Sequence, residues 1–515
     1  MKLSWILSLG LLACVVTQTP ANAQNIYGPR VRRNWESLSG SEKDTYKRAI
    51  AAAMDSGAYI KFVEMHMETM SNMEAHKQCM FIYWHRYFLI AFENMLCGQG
   101  DEFACVTIPY FNWMVAQSRQ MNGECTSFGD CAAIATELGG FTSGSTQQGV
   151  INGDAINGNV CVNNMSLNHF CGSSAPGTAC AGCLPRGNWG SISLPAAAGY
   201  GSVRGQVFEG QNINQTSTKI ETGAHGSVHS SLGSTMGTLA SPADPIFWSH
   251  HSMVDALHTI FHKCRVGTQR MSFEEKASNP IAWSSCSRRD NDGDQFNEGS
   301  VFNPTDIVTM RTGPKNANPV NGSEDPIIGK FIRGVPNRFA DLVDNGTATI
   351  DPSKINPTYD DGKVDVIILN ECSEAEQRVM TWYKQTTATM GGQTAETMAD
   401  LERQSCMFHE QCLGGVTGFS EEFKVTWGFK GDRCKIIVDA VQCGDQQIIY
   451  TQWRENMEAY FGCPVPANTT TPAPTNQNQT SSSNQTSPTD QTQQVVGDNM
   501  GNTIAGAINN IVQSV

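Results

Sequence analysis

The sequence predicts a mainly α-helical fold: an antiparallel four-helix bundle with long disulfide-tied loops and a mixed, cysteine-rich C-terminal region. Three observations support this prediction. Apolar residues recur at helical spacing in several segments of the first half of the chain. A capping box, in which a Ser pairs with a Glu three residues later, precedes the first of these segments. The chain also contains 18 cysteines and 48 glycines, a composition typical of covalently tied loops.

The helices of the first half are expected in the following order. Ser39 and Glu42 form the capping box, so a helix should begin there and run through Ala53. Further helices are predicted over residues 58–70 and 81–96, and again over 224–232 and 245–262. Between them, residues 114–204 are dominated by Gly, Ser, Asn and six cysteines, which predicts a disulfide-tied insertion and not another helix.

The second half of the chain has mixed signals. Residues 364–369 and 434–441 have the β-branched character of strands, whereas residues 395–408 have helical spacing. The predicted organisation is a signal peptide at 1–23, a main domain at 24–290 with its insertion at 114–204, a cysteine-rich region at 291–463, which we interpret as a second domain, and a tail at 464–515. The tail is rich in Thr, Ser, Asn, Gln and Pro and is expected to be disordered.

Charge and the N-terminal segment bear on where the protein acts. The chain has 35 Lys+Arg against 49 Asp+Glu, a net charge of −14, which argues against nucleic-acid binding. Residues 1–23 combine Lys2, an apolar stretch and the cleavage motif ending at Ala23, as a signal peptide does. No later segment is apolar for long enough to predict a membrane span. Seven N-glycosylation sequons agree with secretion.

The cysteines are expected to form disulfides in an oxidising compartment. Removal of Cys14 with the signal peptide would leave 17 of the 18 cysteines, so at least one should be unpaired. We interpret Cys79 as that buried free thiol. Four cysteines of the insertion, at 161, 171, 180 and 183, are expected in disulfides and not in a zinc site. Residues 290–294 are acidic but lack the spacing of a calcium loop, so we interpret them as a solvated turn.

Histidine placement is the most informative feature of the chain. Three histidines fall within one stretch of about 20 residues, and a second set contains an H-x3-H pair followed by a His-His dipeptide. Histidines four residues apart lie on one face of a helix. Two clusters of about three imidazoles suggest a pair of metal ions held between facing helices, and imidazole suits Cu, Zn, Fe or Ni.

At these residues the chain resembles the tyrosinase and polyphenol oxidase family of type 3, dinuclear copper proteins. Residues 76–89 read H-K-Q-C-M-F-I-Y-W-H-R-Y-F-L and match the family's H-x8-H-R-x-F-L. Residues 244–255 read D-P-I-F-W-S-H-H-S-M-V-D and match its D-P-x-F-x-x-H-H-x-x-x-D. The resemblance covers residues 33–262, roughly half of the chain.

The resemblance implies a role for each residue of these motifs. The first copper would be bound by His66, His76 and His85, and the second by His225, His229 and His251. Beside these ligands, we expect His250 to pack, Phe247 to keep the site dry, and Asp255 to orient the His251 ring or pin its helix. Arg86 is expected to pair with a carboxylate such as Glu93.

The implied function is a secreted phenol oxidase with two copper ions, which uses O2 to oxidise small o-diphenols to o-quinones and has monophenol hydroxylation as a further candidate activity. Glu209 is the predicted base that deprotonates the substrate, with Glu221 as a second choice. Two departures from the family pattern matter. Gly226 occupies a position where Asn or Asp often accompanies activity on monophenols, which weakens the case for hydroxylation. Glu74 stands where a Cys–His thioether would need its cysteine, so no thioether is expected.

Two other functions are compatible with parts of this pattern. A non-catalytic or latent type 3 copper O2-binding protein would keep the same ligands, with a residue of the C-terminal region closing the site. A zinc hydrolase built on the H-x3-H pair lacks the Glu of H-E-x-x-H. The sequence leaves open the natural phenol and the oligomeric state.

Overall fold

The computed structural model describes residues 30–104, 106–142, 144, 148–289, 296–344, 358–359 and 374–463. The predicted signal peptide at 1–23, the strand predicted at 364–369, the acidic turn at 290–294 and the tail at 464–515 lie outside the described residues. The described residues all lie in one compact unit, and the division into a main domain and a second domain near residue 290 stays a prediction.

The structure is mainly helical, as predicted. The helices of the first half have these bounds: α1 Gly40–Asp55, α2 Ala58–Met67, α3 Thr69–Ala75, α4 Phe81–Cys97, α5 Trp113–Met121, α6 Phe128–Cys131, α7 Ala133–Glu137, α8 Tyr200–Phe208, α9 Ile213–Ile220, α10 Gly226–Leu232, α11 Pro245–Arg265 and α12 Phe273–Ser278. The helices of the second half are α13 Gly329–Ile332, α14 Glu374–Thr389, α15 Ala395–Cys412, α16 Glu421–Trp427, α17 Arg433–Cys443 and α18 Trp453–Phe461.

Strands are short and occur in pairs. Antiparallel pairs join β2 (Gly149–Ile151) to β3 (Asp154–Ile156), β4 (Val160–Val162) to β5 (Leu184–Arg186), β6 (Ser287–Arg289) to β7 (Phe296–Val301) and β8 (Arg311–Thr312) to β9 (Val320–Asn321). One parallel pair joins β1 (Val31–Arg32) to β10 (Thr358–Tyr359). These two-stranded ribbons lie outside the helices and carry none of the predicted ligands.

The first predicted helix begins where the capping box places it. The Ser39 side chain accepts a hydrogen bond from the backbone N–H of Glu42, and the Glu42 side chain accepts one from the backbone of Ser39. The predicted helix over 58–70 is two helices, because the chain adopts an extended conformation at Glu68 and restarts as α3.

Two expectations about secondary structure were wrong. Residues 434–441 lie within α17 and not in a strand, because Asp432 caps the N-terminus of this helix and Gly444 ends it in the left-handed conformation. The insertion at 114–204 was expected to be disulfide-tied and not another helix. It nevertheless includes most of α5, whose N-cap Asn112 accepts a hydrogen bond from the backbone of Val115.

Six disulfides tie the described part of the chain. They are Cys79–Cys286, Cys125–Cys131, Cys161–Cys183, Cys171–Cys180, Cys406–Cys434 and Cys412–Cys463. The four insertion cysteines form disulfides, as predicted. The assignment of Cys79 as a free thiol was wrong, since it joins the loop before α4 to the segment after α12.

A buried group of charges joins α4, α11 and β1. The Asp255 carboxylate accepts hydrogen bonds from Arg86 on one oxygen and from Arg32 on the other. Arg32 also donates to Glu93 at 3.0 Å. Asp255 therefore pins α11 to α4, one of its two predicted roles. Arg86 pairs with a carboxylate, as expected, but that carboxylate is Asp255 on α11 and not Glu93.

We expect Asp255→Asn to lower the free energy of unfolding of the metal-free protein by about 3 kcal/mol or more, since it removes the carboxylate that pairs with the buried Arg86 and one of the two that pair with Arg32. Denaturant titration measures the effect. The matched control is Asp44→Asn, which removes a carboxylate that is 63% exposed and pairs with Arg48 on α1. That change should cost less than about 1 kcal/mol. Equal effects of the two substitutions would contradict the pinning role.

Candidate metal centre

Four helices, the residue that follows α3 and one π-helical turn bring the predicted ligand histidines together. His66 lies on α2, His85 on α4, His229 on α10 and His251 on α11. His76 directly follows α3. His225 ends a π-helical turn, Glu221–His225, which links α9 to α10. The antiparallel bundle arrangement of these helices remains a prediction, but each predicted ligand is supplied to one buried region.

The described residues contain two groups of side chains that can hold a metal ion. The first is His66, His76 and His85, and the second is His225, His229, His250 and His251, with the ligand atoms of each group within 4.8 Å of one another. All seven rings are buried. The two groups adjoin, since the rings of His85 and His251 stack with their centroids 4.4 Å apart. His258 and His262, farther along α11, belong to neither group.

Backbone carbonyls orient four of the rings. The Nδ1 atoms of these rings lie 2.6–3.0 Å from a carbonyl oxygen: His66 from Leu239, His85 from Phe81, His225 from Glu221 and His229 from Met236. A carbonyl only accepts hydrogen bonds, so Nδ1 carries the proton in each neutral ring. Nε2 is then left with the lone pair that a metal needs.

The remaining ring nitrogens support the same conclusion. The Nε2 atoms of His66, His76, His85 and His225 are buried without a hydrogen-bond partner. The Nε2 atoms of His229 and His251 face each other at 3.3 Å. Buried polar atoms normally find partners, and a group of unpaired imidazole nitrogens is the donor set of a transition-metal site. The two clusters therefore fit a dinuclear copper site.

Burial keeps these rings neutral. Burial lowers the pKa of His66 to about 4 and that of His229 to about 3, because the charged imidazolium loses its solvation. The pKa values of the other predicted ligands are also lowered by burial and, in addition, by the charge that neighbouring histidines would carry. Neutral imidazole is the form that binds a metal, so protons compete weakly for these sites at neutral pH.

Aromatic side chains line the two clusters. The Phe247 ring lies 4.1 Å from the His251 ring and 5.3 Å from the His66 ring, between centroids. Phe81 packs against both His85 and His225, at 4.6 Å. His250 stacks 5.3 Å from His225, and its two ring nitrogens have no well-formed hydrogen bond. His250 therefore belongs to the second group of possible metal ligands, although only a packing role was expected for it.

Trp427 was not identified from the sequence. It ends α16 in the C-terminal region, is 1% exposed, and lies against both clusters. Its ring centroid is 5.0 Å from that of His76 and 4.9 Å from that of His229. Its indole N–H donates to the Gly237 carbonyl at 3.0 Å. No sequence motif includes Trp427, so its position beside the histidines could not be predicted from sequence spacing.

The two predicted carboxylates lie in different surroundings. Glu209 binds Lys219 at 2.7 Å and Arg433 at 3.3 Å. Burial raises its pKa, but these two cations outweigh burial and hold the pKa of Glu209 below its usual value. Glu221 is buried at the start of the turn that bears His225, and it accepts the Lys77 backbone N–H at 2.6 Å. Burial raises the pKa of Glu221 to about 8.

Acidification should destabilise the metal-free protein. An unfolded histidine binds a proton below its usual pKa of about 6.5, whereas the folded His66 and His229 stay neutral down to about pH 4 and 3. Each such ring lowers the free energy of unfolding by about 1.4 kcal/mol per pH unit below about pH 6.5. Glu221, Glu74 and Asp432 have the opposite sign, since burial raises their pKa values and this favours the folded state at lower pH, but the buried histidines outnumber them.

Denaturant titrations between about pH 7 and pH 5.5 measure this slope. His409 lies outside both clusters and burial lowers its pKa to about 4, so His409→Gln should reduce the slope by about one proton. Val425→Ala, which changes a 78% exposed side chain without a titratable group, should leave it unchanged. A stability that does not vary with pH in this range would contradict neutral buried rings.

Comparison with known proteins identifies the same region. Residues 56–263 match the family model described as the common central domain of tyrosinase. A tyrosinase of Streptomyces antibioticus is 28% identical over 242 residues, which are 44% of this chain and 81% of that protein. Tyrosinase P of Aspergillus terreus is 26% identical over 279 residues, covering 45% of this chain and 75% of that protein.

Solved structures of lower similarity include a mutant of a polyphenol oxidase from Thermothelomyces thermophila. It has a TM-score of 0.39 and 17% identity, with 64% of this chain and 88% of that chain covered. A functional unit of octopus hemocyanin has a TM-score of 0.30 and 19% identity, with 46% and 54% covered. The match to the tyrosinase family model spans all the predicted ligands. The segment from residue 56 to residue 263 therefore belongs to the tyrosinase family of type 3 copper proteins.

Proposed function

We propose that this protein is a secreted, copper-dependent phenol oxidase that uses O2 to oxidise o-diphenols to o-quinones. The observation that carries the proposal is the convergence of unpaired, buried Nε2 atoms on two adjoining centres within a tyrosinase-family domain. Hydroxylation of monophenols at the same centre is the finer part of the proposal. Six disulfides among the described cysteines support secretion, since such bonds persist in oxidising compartments.

The ligand assignment follows the clusters. His66, His76 and His85 would hold one copper ion, and His225, His229 and His251 the other. When bound, the copper pair supplies the redox chemistry that links O2 to the phenol. In the overall reaction each catechol loses two electrons and two protons, so two catechols are converted to two o-quinones while one O2 is reduced to two water molecules.

The side chains around the clusters would serve this chemistry in two ways. Phe247 and Phe81 cover the histidine rings with apolar surface, which excludes water and keeps the imidazoles neutral. The carbonyl hydrogen bonds hold four of the six rings, those of His66, His85, His225 and His229, in one tautomer and one orientation, so their donor atoms are in place before any metal arrives.

Glu221 is a better candidate than Glu209 for the base that takes the phenolic proton. Its pKa of about 8 is closer to the pKa of a phenol than the pKa of an ordinary carboxyl group is. Glu221 also begins the turn that ends at His225. Glu209 is occupied by Lys219 and Arg433, and its lowered pKa makes it a weak base. We therefore assign proton transfer to Glu221 and a structural ion-pair role to Glu209.

Metal analysis tests the proposal directly. Purified protein loaded with Cu(I) should retain two copper ions per chain and convert a catechol to its o-quinone in the presence of O2. His251→Gln should lose one of the two ions and the activity, because Nε2 of His251 faces Nε2 of His229, whereas His250→Gln should keep both ions if His250 is not a ligand. Zinc without copper in the isolated protein, or full copper content in His251→Gln, would overturn the assignment.

The same assay separates the two carboxylates. Glu221→Gln should reduce the rate of catechol oxidation by about 100-fold, the usual contribution of a positioned base. Its copper content should stay at two ions. Glu209→Gln is the matched control and should alter the rate by less than about threefold, apart from any loss of stability. If Glu209→Gln abolished activity and Glu221→Gln did not, Glu209 would be the base, as the sequence predicts.

A latent form of this enzyme is the second candidate, and Trp427 favours it. Residues 419–432, here called the plug segment, place Trp427 over His76 and His229 and leave it 1% exposed. Four aromatic residues of the segment, Trp427 among them, form an apolar cluster: Phe419, Phe423, Trp427 and Phe429. A phenol cannot occupy the space that the indole fills, so the plug segment would block the substrate.

Close packing seats the plug segment on the metal centre. A Cβ atom added at Gly226 would lie 2.5 Å from the Phe429 ring, so the residue after His225 must be glycine for the plug segment to approach. Gly428, in the left-handed conformation, fits against the Lys77 side chain in the same way. At the end of the segment, Asp432 accepts a hydrogen bond from Ser227, which lies between His225 and His229.

Two substitutions should open the site. Trp427→Ala removes the ring, and Gly226→Asn forces Phe429 away while the tryptophan is kept. We expect each copper-loaded variant to oxidise catechol about tenfold faster or more than the wild type, which corresponds to a difference of about 1.4 kcal/mol. Val425→Ala is the matched control, since Val425 lies on the same helix but is 78% exposed, and it should leave the rate unchanged.

The opposite result would be equally clear. If the wild type already oxidises catechol at the rate of Trp427→Ala, the plug segment does not restrict the substrate. If the wild type, Trp427→Ala and Gly226→Asn each bind two copper ions and none of them forms a quinone, the chain is a non-catalytic type 3 copper protein.

A further inference from the structure

Asn72, on α3, contacts two of the three histidines of the first cluster. Its side-chain nitrogen lies 3.1 Å from Nδ1 of His76 and 3.3 Å from the backbone carbonyl oxygen of His66. Its own backbone carbonyl accepts the backbone N–H of His76 at 3.1 Å. One residue that is not itself a ligand therefore touches both His66 and His76.

The backbone around His76 explains why a side chain is needed there. His85 and His225 donate from Nδ1 to the carbonyl four residues earlier in a helical turn. For His76 that carbonyl belongs to Asn72 and accepts the His76 backbone N–H, whereas Nδ1 of the ring lies beside the Asn72 side chain. His76 caps the end of α3 in an extended conformation, with φ −131° and ψ 158°, and Lys77 follows with φ 60°. The His76 ring therefore lies beyond the end of α3, and its Nδ1 faces the Asn72 side-chain amide where other rings face a backbone carbonyl.

The position of the proton decides what this contact does. A metal on Nε2 of His76 requires the proton on Nδ1, and a protonated Nδ1 needs an acceptor. The amide of asparagine supplies either a donor or an acceptor, because rotation about its last bond exchanges nitrogen and oxygen. With its oxygen towards the ring, Asn72 would accept from Nδ1 of His76, as a carbonyl does for His66, His85, His225 and His229, and would give up the contact of its side-chain nitrogen with the His66 carbonyl.

We propose that Asn72 is a positioning residue of the first metal centre: its amide oxygen accepts the Nδ1 proton of His76 and so directs Nε2 at the metal. The proposal rests on the proposed copper function. Asn72 acts through His76 and does not touch the metal. The contact is also a non-covalent alternative to the thioether for which the chain lacks the cysteine, since Glu74 occupies that position.

Copper affinity measured by competition with a chelator tests the proposal. Asn72→Leu should weaken one of the two copper ions by about 10-fold to 100-fold, the usual effect of removing a partner of a ligand histidine. Asn72→Ala should do the same. Asn72→Asp offers only acceptor oxygens and should bind both ions at least as tightly as the wild type. After partial loss of copper, the Leu variant should show the paramagnetic resonance signal of a single Cu(II) ion.

A matched variant separates positioning from stability. Asn122 makes two similar side-chain contacts, to the carbonyls of Ser118 and Ala375, away from the clusters. Asn122→Leu should lower the thermal midpoint by a similar amount but leave both copper affinities unchanged. Wild-type affinity in Asn72→Leu and Asn72→Ala would overturn the role of Asn72, and an Asp variant as weak as the Leu variant would overturn its role as acceptor. Failure of the wild type to bind copper would instead overturn the proposed function.

Discussion

The ion pair between Arg86 and Asp255 is the constraint on which the metal centre depends. Arg86 directly follows His85 on α4, and Asp255 lies one helical turn beyond His251 on α11. Charges removed from water must be matched closely, so the pair tolerates little sliding of one helix along the other. Arg32 and Glu93 extend the same requirement to the N-terminal strand. The stacking of His85 on His251 is the result of this fixed alignment.

The parts of the structure that depend on local spacing could be predicted from the sequence. The capping box at Ser39 placed α1 correctly, and helical periodicity located α4, α11 and α15 to within a few residues. The six predicted ligand histidines could be chosen because their order and spacing are those of a known pair of motifs, and the structure gathers all six. His250 shows the limit of this reasoning, because spacing alone does not say how near a neighbouring ring lies to the second cluster.

Features that arise from contacts distant in the chain could not be predicted in this way. The run of β-branched residues in α17 suggested a strand, yet Asp432, Gly444 and the disulfide to Cys406 hold it as a helix. Trp427 contacts His229 although the two residues are about 200 positions apart in the sequence. Cys79 and Cys286, which form a disulfide, are separated by 207 residues. Glu209 looked like a base in isolation. Its partner Arg433 comes from the C-terminal region, so its occupation by an ion pair could not be read from its neighbours.

The disulfides on either side of the plug segment determine how the chain can respond to a protease. Cys406 is joined to Cys434, and Cys412 is joined to Cys463, so the segment between them is enclosed by two covalent links to α15. A single cut anywhere from residue 414 to residue 431 would therefore leave both new ends attached to the body of the protein. Such a cut would convert the plug segment into two tethered flaps, which swing aside and can return. Complete release of the tryptophan would require a second cut within the segment or, after a cut on its N-terminal side, reduction of both the Cys406–Cys434 and the Cys412–Cys463 bonds, so the exposure of the metal centre would be coupled to the redox state of the surroundings.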